Sequence, residues 1–89
     1  MIDMKVSIEL TLTPLNNNYK ASIISFIKSL RDSNFKLIET PLSTQVYGEF
    51  DEVMPFVTNC IKQSFNESTS SMIHMKIINS DRNDYVADF

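Results

Sequence analysis

The sequence is short of the residues that build several common kinds of site. Among 89 residues it holds one glycine, Gly48, one cysteine, Cys60, and one histidine, His74. A single glycine cannot supply a glycine-rich phosphate loop, and a single cysteine cannot form an internal disulfide. Cys60 lies in an apolar periodic segment, where a buried, inert thiol is expected. No Cys-x-x-Cys or His-x-x-x-His spacing is present, so the sequence predicts no metal site and no bound cofactor.

Basic charge and long apolar runs are scarce as well. Eight basic residues stand against eleven acidic ones, which gives a formal charge of -3 and a pI near 4.9. This balance offers no electrostatic footprint for a phosphate backbone, so nucleic acid is not an expected partner. No apolar run reaches transmembrane length, and the N-terminus lacks the basic region and apolar core of a signal peptide. We therefore expect a cytoplasmic protein that does not bind membranes.

What is present is an ordinary globular composition, with 43% hydrophobic and 21% charged residues. Such a balance predicts a folded chain rather than a disordered one. The length predicts one domain over residues 1–89, in which about residues 80–89 read as a polar C-terminal tail. A domain of this size buries only roughly 60 to 65% of the surface of its unfolded chain. Association with further copies would relieve the limits of so small a core.

Apolar periodicity divides the chain into six elements. Alternation from Val6 to Leu12 predicts a half-buried strand, and helical spacing from Tyr19 to Leu30 predicts a helix that ends around residues 33–34. Strands are predicted over 35–40 and 43–49, and their short connection makes them an antiparallel hairpin. A second helical stripe runs from Val53 to Phe65, with Asp51 as N-cap and Pro55 in or near the first turn. Residues 66–71 form a loop, and 72–78 a last strand.

This order of elements is the split βαβ, or ferredoxin-like, arrangement of the α+β class. Right-handed crossovers would place both helices on one face of a four-stranded antiparallel sheet. The other face would be bare and of mixed polarity. From the alternation it would carry Ser7, Glu9, Thr11, Gln45, Tyr47, His74, Lys76 and Ile78. The first and last strands should be neighbours, so Glu9 and Lys76 are expected to form a cross-strand ion pair.

The segment from Pro41 to Val53 is where a site is expected first. It contains the lone Gly48, and a glycine in a strand suggests a bulge, a bend or a close approach of another group to the backbone. Ser43 and Thr44 supply hydroxyls upstream, but no base accompanies them in the sequence, so catalysis is not predicted. Asp51 and Glu52 suit the positive end of a helix dipole, whereas Glu49 is open to contact with a cationic or amine-bearing ligand.

Three stretches of the chain together resemble a known family. They are the turn Pro14-Leu15, the segment Pro-x-x-Thr-x-Val-x-Gly-Glu-x-Asp-Glu-Val over 41–53, and the ending Lys76-Ile-Ile-Asn-Ser-Asp-Arg82. In order and spacing they resemble the small thiamine-binding, YkoF-like family. The resemblance implies a ferredoxin-like subunit that assembles through its sheet faces into dimers and tetramers. It also implies a ligand in some members, namely thiamine or its hydroxymethylpyrimidine half.

The resemblance further implies which residues would contact that ligand. They are Thr44, Gly48, Glu49 and the basic pair Lys76 and Arg82, with Ser43 and the aromatic Tyr47 beside them. The Thr44 hydroxyl can both donate and accept a hydrogen bond, which suits an aminopyrimidine edge, and an aromatic ring such as Tyr47 or Tyr19 could stack on it.

Two interpretations stay open for the whole chain: a binding protein without catalysis, and an interaction module that builds a homo-oligomer through its sheet face without a ligand. For Lys76 and Arg82 the alternatives are a solvated or ion-paired strand end, an anion site, or contact with a neighbouring subunit.

Overall fold

A computed structural model describes residues 3–89 and shows six elements in the predicted order. They are β1 (Lys5–Pro14), α1 (Tyr19–Arg31), β2 (Lys36–Glu39), β3 (Thr44–Glu49), α2 (Phe50–Glu67) and β4 (Ser71–Ile78). The four strands form one antiparallel sheet in the order β2-β3-β1-β4. The ferredoxin-like α+β prediction is therefore confirmed. No helix in residues 3–89 is long and apolar enough to cross a membrane.

The core lies between the helices and one face of the sheet. The apolar residues of β1 that alternate from Val6 to Leu12 all point into it, and Leu30 of α1 and Val53 and Val57 of α2 meet them there. Helix α1 packs on β1, and α2 packs on β3 and on α1. Cys60 is buried in this core, as predicted for an inert thiol. We call the side of the sheet away from the helices the open face.

The start of α2 differs from the prediction. Asp51 is not the N-cap, because the helix begins at Phe50 and Glu49 is the capping residue. The Glu49 side chain makes no cap hydrogen bond. Asp51 and Glu52 instead stand in the first turn, where carboxylates interact favourably with the helix dipole. Pro55 is the sixth residue of the helix and lies inside it, beyond the first turn. A proline there removes one backbone hydrogen bond, and the buried Val53 and Val57 on either side hold the turn against the core.

The polar C-terminal tail is attached to the sheet at its start. Residues 79–89 contain no helix or strand, yet their first part folds back onto the open face. The open face is consequently not bare: Ser7 and Tyr47, which both point toward it, are 8% exposed. The expected pair across β1 and β4 is present on the same face. Glu9 lies directly opposite Lys76, and its Oε1 is 3.8 Å from the Lys76 Nζ.

Candidate functional site

The predicted site residues divide between the two faces of the sheet. Side chains alternate along a strand, so Thr44 and Gly48 of β3 face the helices together with the buried Val46. Tyr47 and Glu49 face the opposite way. A ligand on one side of the sheet therefore cannot contact the side chains of both Thr44 and Tyr47.

Gly48 is explained by packing against its own neighbours. A Cβ placed at this residue would come 2.7 Å and 3.0 Å from ring carbons of Phe35 and 3.4 Å from the Cβ of Val53. The Phe35 ring in turn packs against Phe56 of α2, with ring centroids 5.4 Å apart. The close approach that the sequence suggested is thus made by a side chain of the core, and Gly48 does not line a site on the open face.

Thr44 borders a cleft between α1 and the β2–β3 hairpin. This hairpin cleft has a volume of about 220 Å³, and apolar side chains supply much of its lining, including Leu10, Leu12, Ile23, Phe26 and Ile27. The turn beside it is stabilised by Thr40, whose N–H and hydroxyl both donate to the Ser43 carbonyl, at 2.9 and 3.0 Å. The cleft has hydroxyls at its rim but no charged residue in its lining.

A second cavity lies on the open face and brings together more polar groups. This open-face basin has a volume of about 340 Å³, within the range of sites for small molecules. Strands β1, β3 and β4 form its floor and the C-terminal segment forms its wall. Its lining comprises Ser7, Ile8, Glu9, Gln45, Tyr47, Lys76, Ile78, Arg82 and Tyr85.

The wall of the basin is fixed by one buried hydroxyl. Ser7 Oγ donates to the Ser80 carbonyl at 2.7 Å and accepts from the Arg82 backbone N–H at 2.9 Å. Arg82 then folds over this turn, because its Nε donates to Ser80 Oγ at 3.0 Å. These bonds attach the tail to β1 and place Tyr85 beside the basin.

The floor of the basin carries an aromatic ring next to an amide. The Tyr47 hydroxyl donates a hydrogen bond to Oε1 of Gln45. Burial raises the pKa of the Tyr47 phenol above its ordinary value of 10.0, and the negative charges of Asp81 and Glu9 raise it further. The phenol is therefore neutral at physiological pH. Since Oε1 of Gln45 accepts this bond, the Gln45 amide nitrogen is left to donate toward a ligand.

A carboxylate stands beside the amide. Glu9 Oε2 accepts a hydrogen bond from Ser43 Oγ at 2.9 Å, while Oε1 has the longer contact to Lys76. The side chain of Lys76 is 84% exposed, so breaking its contact with Glu9 would cost little free energy. Ser43 is thus connected to the basin through Glu9, although it does not line the cavity.

The remaining predicted residues have these positions. Lys76 and Arg82 line the basin from β4 and the tail. Glu49, at the end of β3, is half-buried, lies opposite Lys5 and does not line the basin.

A larger depression of about 450 Å³ runs along α2, but residues 50–62 of that one helix form all of it, so no groups converge there from other elements. Within residues 3–89, no cluster of three His, Cys, Asp or Glu side chains could hold a metal ion.

Six of the nine lining residues were not predicted as site residues, and three of them show two different reasons. Strand alternation assigned Glu9 and Gln45 correctly to the open face. They could have been identified as site residues because they share that face with the predicted site residue Tyr47. Tyr85 gave no usable signal, because it lies in a polar tail without periodicity. Its position follows from the two bonds of Ser7, which join residues more than 70 positions apart.

Comparison with known proteins supports the fold independently. Among crystal structures, a protein from Streptococcus pneumoniae matches with 29% identity and a TM-score of 0.82, over 88% of this chain and 89% of the other. A protein from Thermotoga maritima, assigned to thiamine biosynthesis or salvage, matches with 19% identity and a TM-score of 0.77, over 92% and 89%. A hypothetical protein from Methanocaldococcus jannascii matches with 19% identity and a TM-score of 0.72, over 92% and 84%.

No curated protein matches the chain. The family model described as "Thiamine-binding protein" matches residues 8–88. This match includes all six elements except the first residues of β1, and it contains every predicted site residue. The chain therefore belongs to the thiamine-binding protein family.

Proposed function

We propose that this protein reversibly binds thiamine, or a related hydroxymethylpyrimidine compound, in the open-face basin, and that it does so in the cytoplasm without catalysing a reaction. The observation that carries the proposal is the convergence of Glu9, Gln45 and Tyr47 in one cavity of about 340 Å³. Family membership supports a small-molecule ligand, and the chemistry of these three side chains supports this ligand class.

The basin offers complementary groups for each half of thiamine. An aminopyrimidine presents an amino group that donates and ring nitrogens that accept, which the Glu9 carboxylate and the Gln45 amide can match. The Tyr47 ring provides an aromatic surface, and aromatic pairs favour stacked or edge-to-face contacts. The thiazolium half is a cation, and Glu9 can neutralise it where Lys76 now makes its long contact.

Binding without catalysis requires nothing beyond these contacts. The polar side chains of the basin are already hydrogen-bonded: the Tyr47 hydroxyl donates to Gln45, and Glu9 accepts from Ser43, which lies outside the cavity. An activated nucleophile would need its own base and an orienting third group. The Ser43 hydroxyl does donate to the Glu9 carboxylate, but Ser43 does not line the basin, so its oxygen is not presented to a ligand bound there.

Calorimetric titration of the protein with thiamine tests the proposal. We expect saturable binding, and a ten- to hundredfold loss of affinity in Glu9→Gln, because a hydrogen bond to a charged group contributes about 1.5–3 kcal/mol. Thr44→Val is the matched control, since Thr44 lies on the opposite face of the sheet and borders the hairpin cleft. The same titration with hydroxymethylpyrimidine, which lacks the thiazolium ring, measures the contribution of each half.

The opposite outcomes would overturn the proposal. If Thr44→Val weakens thiamine binding while Glu9→Gln does not, the ligand occupies the hairpin cleft and not the basin. If neither thiamine nor hydroxymethylpyrimidine binds at millimolar concentration, the protein is not a carrier of this ligand class.

A homo-oligomer built through the sheet face is the second candidate. The observation in its favour is that Met72 and Ile78, which point to the open face on β4, are 45% and 50% exposed. Face-to-face contact would cover them, although the tail already occupies the part of the face around Ser7. A measurement of the native mass by light scattering tests whether the protein is a monomer, a dimer or a tetramer.

A further inference from the structure

The last seven residues of the chain carry large apolar side chains that do not pack in the core. Tyr85 is 66% exposed, Val86 is 82% exposed, and Phe89 is fully exposed. Single exposed apolar residues are common on protein surfaces, whereas a group of them marks a surface that another group covers. Of these three residues, Tyr85 lines the open-face basin. We call residues 83–89 the strap.

The strap begins at a point that is fixed to the sheet. The Arg82 backbone N–H donates to Ser7 Oγ at 2.9 Å. The Asp81 carboxylate accepts from both the backbone N–H and the side-chain amide of Asn83, at 3.1 and 2.6 Å. An aspartate that bonds to the backbone two residues further on stabilises a tight turn. The root of the strap therefore has a defined position in the wall of the basin.

Beyond this root the strap is held by few contacts. The Tyr85 N–H donates to the Arg82 carbonyl at 3.2 Å, which closes one more turn within the tail itself. In the described part of the chain, residues 3–89, no hydrogen bond joins the strap to a strand or a helix. Segments with few buried contacts and no bonds to the rest of the fold open at a free-energy cost near zero. A fixed root followed by such a segment can act as a hinge.

Tyr85 can reach every part of the basin from this hinge. A compact cavity of about 340 Å³ is roughly 7 Å across. Tyr85 follows Arg82 by three residues, and three residues of extended chain span at most about 10 Å. Rotation about the fixed Arg82 can therefore carry the Tyr85 ring from the rim to a position above the Tyr47 ring on the floor.

We propose that the strap closes over the open-face basin when a ligand binds, and that Tyr85 then covers the face of the ligand ring opposite Tyr47. The inference rests on the function proposed above, which supplies the ligand. Aromatic rings prefer stacked or edge-to-face contacts, so two tyrosines on opposite faces can hold a planar pyrimidine between them. Closure also removes the apolar surface of Tyr85 and of the ligand from water, which favours the closed position.

The charge of the strap suits a cationic ligand. Asp84 and Asp88 are its charged side chains, and both are exposed. Closure moves these carboxylates toward the basin, where Glu9 already supplies a negative charge. Opposite charges attract more strongly where water is excluded from between them. The closed strap should therefore favour the thiazolium ring of thiamine over an uncharged ring.

A fluorescent reporter in the strap tests the closure. Tyr85→Trp introduces a single indole, because the chain has no tryptophan of its own. Before thiamine is added, acrylamide should quench this indole freely. Saturation with thiamine should shift its emission to shorter wavelength and reduce the quenching at least twofold. Tyr19→Trp is the matched control, since Tyr19 is 53% exposed, lies on α1 and does not line the basin, so its indole should respond to neither ligand nor closure.

Calorimetric titration tests Tyr85 as a ligand contact. Tyr85→Ala should weaken thiamine binding about five- to tenfold, the range expected for the loss of one aromatic pair. Tyr85→Phe should bind within about twofold of the parent chain, because stacking needs the ring and not the hydroxyl. Tyr19→Ala should bind thiamine like the parent. Circular dichroism spectra equal to that of the parent show that each variant is folded.

The outcomes separate the strap from the proposed function. If the parent chain binds thiamine but Tyr85→Ala binds it equally well, or the indole of Tyr85→Trp stays exposed at saturation, the closure is overturned and thiamine binding stands. An indole that is already shielded before thiamine is added also overturns the closure, because the strap would then be closed permanently. If the parent chain binds neither thiamine nor hydroxymethylpyrimidine, the proposed function fails and the closure fails with it.

Discussion

Tyr47 is the residue that reports most directly on the electrostatics of the open-face basin. Burial raises its pKa, and Asp81 and Glu9 add to the effect, so the phenol should ionise above pH 10. The folded protein holds this proton more tightly than the unfolded chain does. The raised pKa of Tyr47 therefore contributes to the free energy of unfolding. This contribution is fully present below about pH 10 and is lost as the pH rises through the pKa of the folded state.

An ultraviolet titration of the phenolate measures this pKa. Tyr47→Phe should remove the component of the titration that lies above the ordinary value. Glu9→Gln should move that component toward lower pH, because one of the negative charges near the phenol disappears. A titration unchanged in Tyr47→Phe would show that the phenol is not buried as described.

Gly48 provides a second prediction for a single residue. Gly48→Ala should destabilise the protein by about 1–3 kcal/mol, the usual cost of overpacking, because its Cβ would collide with the ring of Phe35. Denaturant unfolding measures the loss. In a Phe35→Leu background the same substitution should cost much less, and an equal cost in both backgrounds would show that the ring is not the obstacle.

Alternation along the strands predicted which side chains share the open face, and for a physical reason. The period of two is a local property of an extended chain, so Ser7, Glu9, Gln45 and Tyr47 could be assigned from sequence alone. The grouping of Thr44 with Tyr47 followed the order of a motif instead. Neighbours in a motif need not share a face, and here the sheet separates them.

At the scale of elements, the attachment of the tail to β1 is the feature that completes the basin. Ser7→Ala removes both bonds of the Ser7 hydroxyl and leaves the Arg82 N–H without its acceptor. We expect the tail to detach from the sheet and the amide of Arg82 to exchange with solvent at least tenfold faster, since opening of this segment would no longer break those bonds.

Hydrogen exchange followed by NMR measures this change. Ser22→Ala is the control, because the Ser22 hydroxyl bonds to the Asn18 carbonyl within the first turn of α1, far from the tail. That variant should leave the exchange of Arg82 unchanged. Unchanged exchange in Ser7→Ala would mean that contacts other than Ser7 hold the tail.

The bounds of α2 show what local sequence signals can and cannot predict. The apolar stripe from Val53 to Phe65 predicted the helix, because burial of such a stripe drives its formation. It also predicted the buried side correctly as far as Cys60, whereas Phe65 is exposed. It did not predict the start of the helix. Asp51 is a favoured N-cap residue, but pairing of β3 with β1 continues to Glu49 opposite Lys5, and the chain enters the helix directly from the strand. A tertiary contact thus decided a boundary that propensity assigned elsewhere.

At the scale of the whole molecule, the order of elements was enough to predict the sheet, since few topologies suit so short a chain. Two features escaped prediction: the folding of the tail onto the open face and the poor cover of β4 by the helices. Both depend on contacts between distant parts of the chain. Together they separate the molecule into the open-face basin and an apolar edge at β4.

This separation leads to a prediction about ligand binding. Met75 points to the helix side, so it does not belong to the basin, which Lys76 and Ile78 border from the open face. Met75→Ala should therefore bind thiamine with the affinity of the parent chain, within about twofold. Calorimetric titration of both proteins measures this. A large loss of affinity in Met75→Ala, with unchanged circular dichroism, would mean that the ligand contacts the helix side of β4 and not the basin.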